Sequence, residues 1–176
     1  MSLTVKLEDA EQTVCHILLY TDVENAAEVH QLIMQGKVEA SLIKPEIVVD
    51  SFQVLVAANK AVRSLTAKKM VTRSVFTEII FNLSPSKNIT LSLKNFGLSD
   101  SDTEILAVVL DQESGEKVKT LNRQIKGKQA TLAEMKKLTN EVKVKELYKV
   151  TDIELEVSSL LDAVVSRMAC KEFLIM

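Results

Sequence analysis

The first of two carboxylate-free basic segments runs from residue 51 to residue 77 of the chain. Its five cations are Lys60, Arg63, Lys68, Lys69 and Arg73. Clustered lysine and arginine side chains attract polyanions, and a turn after residue 67 would bring all five into one patch. We therefore expect an anion-binding site here. The alternative is that acids from elsewhere in the fold neutralise these cations.

Asn59 precedes the first two cations inside an otherwise apolar stretch. A buried amide costs about 1 to 3 kcal/mol unless it finds hydrogen-bond partners. Because buried polar groups are as a rule paired internally, a neighbouring backbone group is the favoured partner. The alternative places Asn59 on the floor of a groove with Lys60 and Arg63 on its rim. A ligand base would then bond the amide while phosphates meet the cations.

A second carboxylate-free segment follows later in the chain. Its cations are Lys117, Lys119, Arg123, Lys126 and Lys128. Charge runs usually form a solvated face, so we expect these side chains to pair with acids such as those between residues 100 and 116.

Catalytic signatures are missing from the sequence. The four glycines, at positions 36, 97, 115 and 127, form neither GxGxxG nor GxxxxGK[ST]. The two histidines, His16 and His30, and the two cysteines, Cys15 and Cys170, have no metal-ligand or redox spacing. We therefore expect no cofactor and no metal. An enzyme is the weakest hypothesis, and it would have to use Glu78, His16 or Cys15.

Length and composition indicate one domain over residues 1–176. Hydrophobic residues make up 47% and charged residues 26%, as in globular proteins. Aromatic residues make up only 4%, which argues against an extended base-stacking platform. The N-terminus lacks an apolar signal core and no run reaches the roughly 20 residues of a membrane span. We expect a protein of the cytoplasm and nucleus without a membrane partner.

Periodicity and capping residues outline the elements that position these groups. Apolar alternation and short buried runs predict strands at residues 3–7, 13–20 and 104–110. Helical spacing predicts a helix at 24–36 that turns Ala27, Leu32 and Ile33 inward. Capping residues predict a helix at 51–67 after Asp50 and another at 75–83 after Ser74. A strand is the alternative for residues 75–83. Further helices are predicted at 89–96, 117–125, 132–138 and from residue 152 onward.

A small, mainly antiparallel central sheet packed with several helices, a mixed α+β fold, fits this order best. A doubly wound nucleotide-binding fold is the alternative.

The last predicted helix carries one long apolar stripe. Its members are Ile153, Val157, Leu160, Leu161, Val164 and Met168. The chain then ends on the apolar run from Phe173 to Met176. Such an end either packs into the core or remains exposed for a protein partner.

Four segments of the chain resemble one family: VDSFQVLVAANKAV, TEIIFNLSPSKNI, LKNFGLS and LLDAVVSRM. The chain resembles the PRPK-binding proteins, the small kinase-binding subunits of the KEOPS (EKC) complex, over nearly its whole length. The resemblance implies a non-catalytic subunit that docks on the N-terminal lobe of PRPK, a small atypical kinase, and modulates its ATPase activity. That kinase carries the tRNA threonylcarbamoyltransferase subunit. The resemblance also implies help in recruiting tRNA through its 3′ CCA end for threonylcarbamoyladenosine (t6A) modification beside the anticodon.

The resemblance implies two binding surfaces on this chain. Kinase binding would use Leu160, Leu161, Val164, Met168 and Phe173, and RNA binding would use Asn59, Lys60, Arg63, Lys68, Lys69 and Arg73. The competing hypothesis is a pure protein adaptor of the kinase without RNA contact.

Overall fold

An antiparallel sheet forms the centre of the computed structural model, which describes residues 2–7, 12–112 and 114–173. The strands are β1 (Leu3–Lys6), β2 (Val14–Thr21), β3 (Ser41–Ile43), β4 (Ile105–Asp111) and β5 (Lys128–Ala130). Their order is β1-β2-β4-β3, and β5 pairs with the end of β2 that β1 leaves free. The α+β class and the antiparallel sheet are confirmed.

Helices cover both faces of this sheet. They are α1 (Ala26–Met34), α2 (Ser51–Thr66), α3 (Val75–Leu83), α4 (Ile89–Phe96), α5 (Glu116–Gln124), α6 (Met135–Leu138), α7 (Glu141–Tyr148), α8 (Asp152–Leu155) and α9 (Leu160–Ala169), with 3₁₀ turns at Pro45–Ile47 and Leu132–Glu134. The larger core lies between one face and α2, α3, α7 and α9. The smaller core lies between the other face and α1 and α5. Burial on both faces explains why β2 and β4 lack the alternation of half-exposed strands.

Local capping chemistry sets the start of the two helices that matter most for the site. The Asp50 carboxylate accepts the backbone N–H of Phe52 at 2.8 Å and starts α2. The Ser74 hydroxyl accepts the backbone N–H of Thr77, and the Thr77 hydroxyl accepts the backbone N–H of Ser74. This capping box starts α3. The helix at Ser74 is confirmed and its strand alternative is wrong.

The prediction of a single long C-terminal helix is wrong. The chain forms α8, breaks, and restarts as α9, where the Ser159 hydroxyl accepts the N–H of Asp162 at 3.1 Å. Serine competes for backbone hydrogen bonds and favours such caps over helix interiors. Because of the break, Ile153 and Val157 leave the apolar stripe and are 78% and 89% exposed.

Three shorter elements also differ from expectation. Strands β3 and β5 and helix α7 occupy residues for which no element was predicted. In α1 the buried residues are Ala26 and Val29, whereas Ala27 is exposed.

In the described ranges no helix combines the length and the apolar character that crossing a membrane requires.

Candidate nucleic-acid interface and apolar C-terminal surface

Helix α2 carries both a buried face and the floor of the candidate site. Its inward side chains are small and fully buried: Val54, Ala57, Ala58 and Ala61. Small residues allow α3 to pack closely against this face. The rest of α2 turns Val56, Asn59, Lys60 and Arg63 towards the surface at spacings of three and four residues, so the helix holds them in line.

A groove runs beside this outer face of α2. Its cavity of about 430 Å³ is lined by Val56, Asn59, Lys60, Arg63, Ser64, Ala67, Lys69 and Ala169. Of the six predicted RNA-binding residues, the groove brings together Asn59, Lys60, Arg63 and Lys69. Lys68, in the left-handed conformation after α2, and Arg73, in the loop before α3, are exposed outside the lining. The sequence did not predict Ala169, which α9 contributes to the lining.

The side-chain oxygen of Asn59 is not satisfied by a neighbouring backbone group. Its Oδ1 is buried and has no hydrogen-bond partner among the residues that the structure describes. The favoured internal pairing is therefore wrong for this oxygen, and the groove-floor alternative agrees with the placement of Asn59. An orphaned buried acceptor costs free energy, and His16 Nε2 is the other buried side-chain atom without a partner among the described residues.

The cations of the groove are almost free of carboxylates. Lys60 Nζ lies 3.4 Å from Oε1 of the exposed Glu172. Within the described part of the chain, Arg63, Lys68, Lys69 and Arg73 form no ion pair. The groove therefore presents unneutralised positive charge to solvent.

Glu78, the carboxylate that directly follows the first basic segment in sequence, accepts hydrogen bonds from the backbone. It is buried, and its oxygens accept the N–H of Val71 and Thr72 and the hydroxyl of Thr72 at 2.7 to 3.2 Å. These bonds hold the loop between α2 and α3 in shape. Because these bonds engage both of its oxygens, Glu78 forms no ion pair with the cations of the groove among the described residues.

Lys171 is a buried cation that the sequence reasoning missed. Its Nζ lies 3.1 Å from the centroid of the Phe81 ring and donates a hydrogen bond to the carbonyl oxygen of Phe81. Burial, with the repulsion of Lys60, lowers the pKa of Lys171 to about 7, although Glu78 and Glu172 oppose the shift. No periodic pattern marks this lysine, because it follows the end of α9.

The predicted kinase-binding residues divide by exposure. Val164 and Met168 are buried in the larger core, so they anchor α9 and are not accessible to a partner. Leu160 and Leu161 are half-buried, and Phe173 is 84% exposed. Ile153, Val157, Leu160, Leu161 and Phe173, which are exposed or half-buried between α8 and residue 173, are together called the apolar C-terminal surface. Residues 174–176 of the apolar run lie outside the described residues.

A bidentate ion pair joins α8 to α9 beneath this surface. Arg167 donates from both terminal nitrogens to the Glu154 carboxylate, at 2.7 and 2.8 Å, and to the carbonyl oxygen of Lys149 at 3.1 Å. The hydrogen bonds from Arg167 lower the pKa of Glu154. Paired forks of this kind fix orientation, so the exposed Ile153 is held relative to α9.

The enzyme candidates do not converge on one site. Cys15 and His16 are neighbours in β2 and point to opposite faces of the sheet. Burial raises the pKa of Cys15 to about 12 and lowers the pKa of His16. His16 Nδ1 lies 3.1 Å from the Thr4 hydroxyl. No group of three or more His, Cys, Asp or Glu side chains suited to a metal occurs in the described ranges.

Together these features define an antiparallel α+β protein distinguished by a cationic groove and an apolar C-terminal surface. The chain belongs to the CGI-121 family, because the model of the kinase binding protein CGI-121 matches residues 20–172. This result confirms the family resemblance seen in the sequence.

Individual relatives agree with this assignment. The EKC/KEOPS complex subunit TPRKB of Danio rerio is 42% identical over 173 residues, which are 98% of this chain and 99% of the relative. The EKC/KEOPS complex subunit cgi121 of Schizosaccharomyces pombe is 25% identical over 164 residues, 89% of this chain and 94% of the relative. The corresponding subunit of Aspergillus fumigatus is 36% identical over 95 residues, about half of each chain (53% and 50%).

Proposed function

We propose that this protein is a non-catalytic subunit of the EKC/KEOPS complex that binds the small atypical kinase PRPK and helps to recruit tRNA for t6A modification. Its relatives carry the name of that complex, and its family is named for kinase binding. The observation that carries the tRNA half is the basic groove, in which Arg63 and Lys69 form no ion pair among the described residues, beside the unsatisfied side-chain oxygen of Asn59. The protein acts in the cytoplasm and nucleus.

In the tRNA half of the proposal, Lys60, Arg63 and Lys69 meet phosphates of the RNA strand. The guanidinium of Arg63 presents a planar fork that matches two phosphate oxygens, whereas the lysines act as point charges. Each neutralised phosphate releases counterions, which makes such binding steeply dependent on salt. The tRNA 3′ CCA end is single-stranded, so its bases are free to contact a groove of this size.

In the kinase half of the proposal, the apolar C-terminal surface docks on the kinase. Ile153, Val157 and Phe173 are large apolar side chains that are each more than three-quarters exposed. The kinase would cover these side chains in the complex, since contiguous exposed apolar patches mark protein interfaces. The buried Val164 and Met168 anchor α9 in the core, so the surface is presented by a fixed element.

The tRNA half is tested by reversing two groove charges, with Lys60→Glu and Arg63→Glu in one variant. We expect weaker tRNA binding by the assembled complex. The slope of log affinity against log salt should fall by about 0.7 to 0.9 for each lost phosphate contact. Gel shift at several salt concentrations measures both quantities. Lys126→Glu with Lys128→Glu is the matched control, because both of these lysines are already paired with acids.

Two results would decide against the tRNA half. If both double variants bind tRNA as the wild type does, the groove is not an RNA site and a pure protein adaptor remains. If both weaken binding equally, only net charge matters and the groove has no special role.

The kinase half is tested by placing charge on the exposed surface, with Ile153→Asp and Val157→Asp. Burying an unpaired carboxylate at an interface is costly, so we expect the co-expressed kinase to be lost during co-purification. Met34→Asp is the control, since Met34 is an equally exposed apolar residue (77%) on α1, at the opposite face of the sheet. Retention of the kinase by the double variant would contradict this docking surface.

A further inference from the structure

The basic groove and the apolar C-terminal surface meet at residues 170–173, which we call the terminal turn. The turn directly follows α9, and the Phe173 backbone N–H closes it with a hydrogen bond of 2.8 Å to the carbonyl oxygen of Cys170. Ala169, the residue before the turn, lines the groove. Phe173, its last residue, belongs to the apolar C-terminal surface and is 84% exposed. The terminal turn therefore adjoins both surfaces.

Lys171 is the fixed point of the terminal turn. Its side chain is buried, and its ammonium group lies over the Phe81 ring of α3 and donates to the Phe81 carbonyl oxygen. The residues on either side, Cys170 and Glu172, are exposed. A shift of Glu172 and Phe173 alone would therefore leave the packing of α9 against the core intact.

Glu172 places a carboxylate at the basic groove. Its Oε1 lies 3.4 Å from Lys60 Nζ, and its backbone carbonyl oxygen accepts a hydrogen bond of 2.9 Å from Lys87 Nζ. The side chains of Lys60 and Glu172 are 32% and 71% exposed, so water screens their attraction. The pair is therefore weak enough to separate, and its negative charge competes with any phosphate that approaches Lys60.

We propose that the Lys60–Glu172 pair is an autoinhibitory contact, which partly neutralises the groove in the free protein and separates when the kinase covers Phe173. This inference rests on the proposed function and adds to it a coupling between the two binding surfaces. Adjacent Cα atoms are about 3.8 Å apart, so a partner that covers Phe173 also reaches Glu172. The partner must then bury the ion pair or separate it. Burial would remove both charges from water, which is the costlier result.

The coupling has a definite sign. Because Lys60 becomes available to a phosphate once Glu172 leaves, docking of the kinase should tighten RNA binding. Coupling between two sites is reciprocal, so RNA should tighten docking by the same factor. The strength of one exposed ion pair limits this factor to about fivefold at low salt, and high salt should screen it away.

The experiment measures binding of a short single-stranded RNA to the full-length protein at low salt, with and without saturating purified PRPK. For the wild type we expect the kinase to tighten RNA binding by up to about fivefold. Glu172→Gln removes the charge and keeps the carbonyl bond to Lys87, so it should bind RNA tightly without the kinase and gain nothing from it. Glu28→Gln is the matched control, because it frees Lys126 on the other side of the sheet and should keep the full kinase effect.

The reciprocal titration distinguishes the coupling from RNA contacts that the kinase makes itself. Adding the RNA should tighten kinase binding by the same factor in the wild type and should have no effect in Glu172→Gln. Equal gains in both proteins would overturn the inference, because the gain would then come from the kinase surface. A wild-type RNA affinity that the kinase leaves unchanged or weakens would overturn it as well.

Failure of the proposed function gives a different result. In that case Lys60→Glu with Arg63→Glu leaves RNA binding unchanged, or Ile153→Asp with Val157→Asp retains the kinase. Either result removes one of the two surfaces, and the coupling is then wrong too. If both double variants behave as proposed and Glu172→Gln still responds to the kinase as the wild type does, the two surfaces stand and only the autoinhibitory contact is wrong.

Discussion

The two basic segments of this chain have five cations each, yet the fold treats them in opposite ways. In the second segment four lysines are paired: Lys117 with Glu39, Lys119 with Glu116, Lys126 with Glu28 and Lys128 with Asp22, at 2.6 to 3.4 Å. In the first segment, within the described residues, only Lys60 is paired. A count of cations in the sequence therefore does not distinguish a binding surface from an ordinary solvated one.

Tertiary structure supplies the acids of the second segment. Pairing of β5 with β2 brings Lys128 beside Asp22, and the Lys126 backbone N–H donates to the Asn25 side chain just before α1. The expectation that this segment is paired is confirmed. The acids come mainly from residues 22 to 39 instead of residues 100 to 116. The two acids that flank the first segment in sequence are engaged elsewhere: Asp50 caps α2, and Glu78 accepts the N–H groups of Val71 and Thr72.

A first prediction concerns pH, which should distinguish the two regions because only the first adjoins a buried lysine. The folded-state pKa of Lys171 is lowered to about 7 from an ordinary value of 10.5. Between these values the unfolded chain binds more protons, so this residue makes the folded state gain stability as pH rises from about 7 to about 10. The gain is at most about 1.4 kcal/mol per pH unit for one proton.

Urea unfolding of wild type and Lys171→Met at pH 7, 8 and 9 measures this effect. The difference in unfolding free energy between them should change with pH in favour of the wild type as pH rises. Lys119→Met, which removes an exposed lysine of the second segment, should give a pH dependence parallel to that of the wild type. Parallel curves for Lys171→Met as well would mean that the Phe81 ring and carbonyl hold the proton on Lys171 and cancel the effect of burial.

Helix positions were predictable where local chemistry decides them. Asp50 and Ser74 act within three residues of themselves, so their caps can be identified in the sequence. Lys60 and Arg63 are one helical turn apart, which is why their adjacency was also predictable. Lys69 lies beyond the helix, and its place in the groove depends on how the chain turns at Lys68, whose φ is positive. That turn has no glycine to signal it.

Other elements depend on contacts that no local pattern records. Strands β3 and β5 have three residues each, too few for a period, and exist through their pairing with β4 and β2. The apolar spacing of the last helix continues across the break at Ser159, so periodicity alone joins α8 to α9. For α7 a signal did exist in the spacing of Val144 and Tyr148, both buried.

Asn59 shows why the site was harder to predict than the fold. Internal pairing of a buried amide is the general rule, and the sequence contains nothing that excludes it. Whether Asn59 is an exception to this rule depends on which backbone carbonyls and amides lie within reach of its side chain. That is a property of the packing between α2 and its neighbours. Exceptions to general rules of this kind concentrate at functional sites.

The smallest predicted effect concerns Glu172, the one described carboxylate that contacts the basic groove. An exposed ion pair contributes about 0.2 to 1 kcal/mol, and the same carboxylate repels an approaching phosphate. Glu172→Gln should therefore tighten tRNA binding by up to about fivefold at low salt, with the gain vanishing at high salt. Glu28→Gln is the matched control, because it frees Lys126 of the second segment in the same way.

Titration of tRNA by gel shift at two salt concentrations separates the outcomes for these two variants. Tightening by Glu172→Gln alone would mean that the first segment differs from the second by position on the RNA-binding surface. Equal tightening by both would mean that any unpaired lysine attracts RNA. The two segments would then differ only in how many of their cations are paired with carboxylates. No change in either would show that Lys60 meets its phosphate without leaving Glu172, and the phosphate contacts would then belong to Arg63 and Lys69.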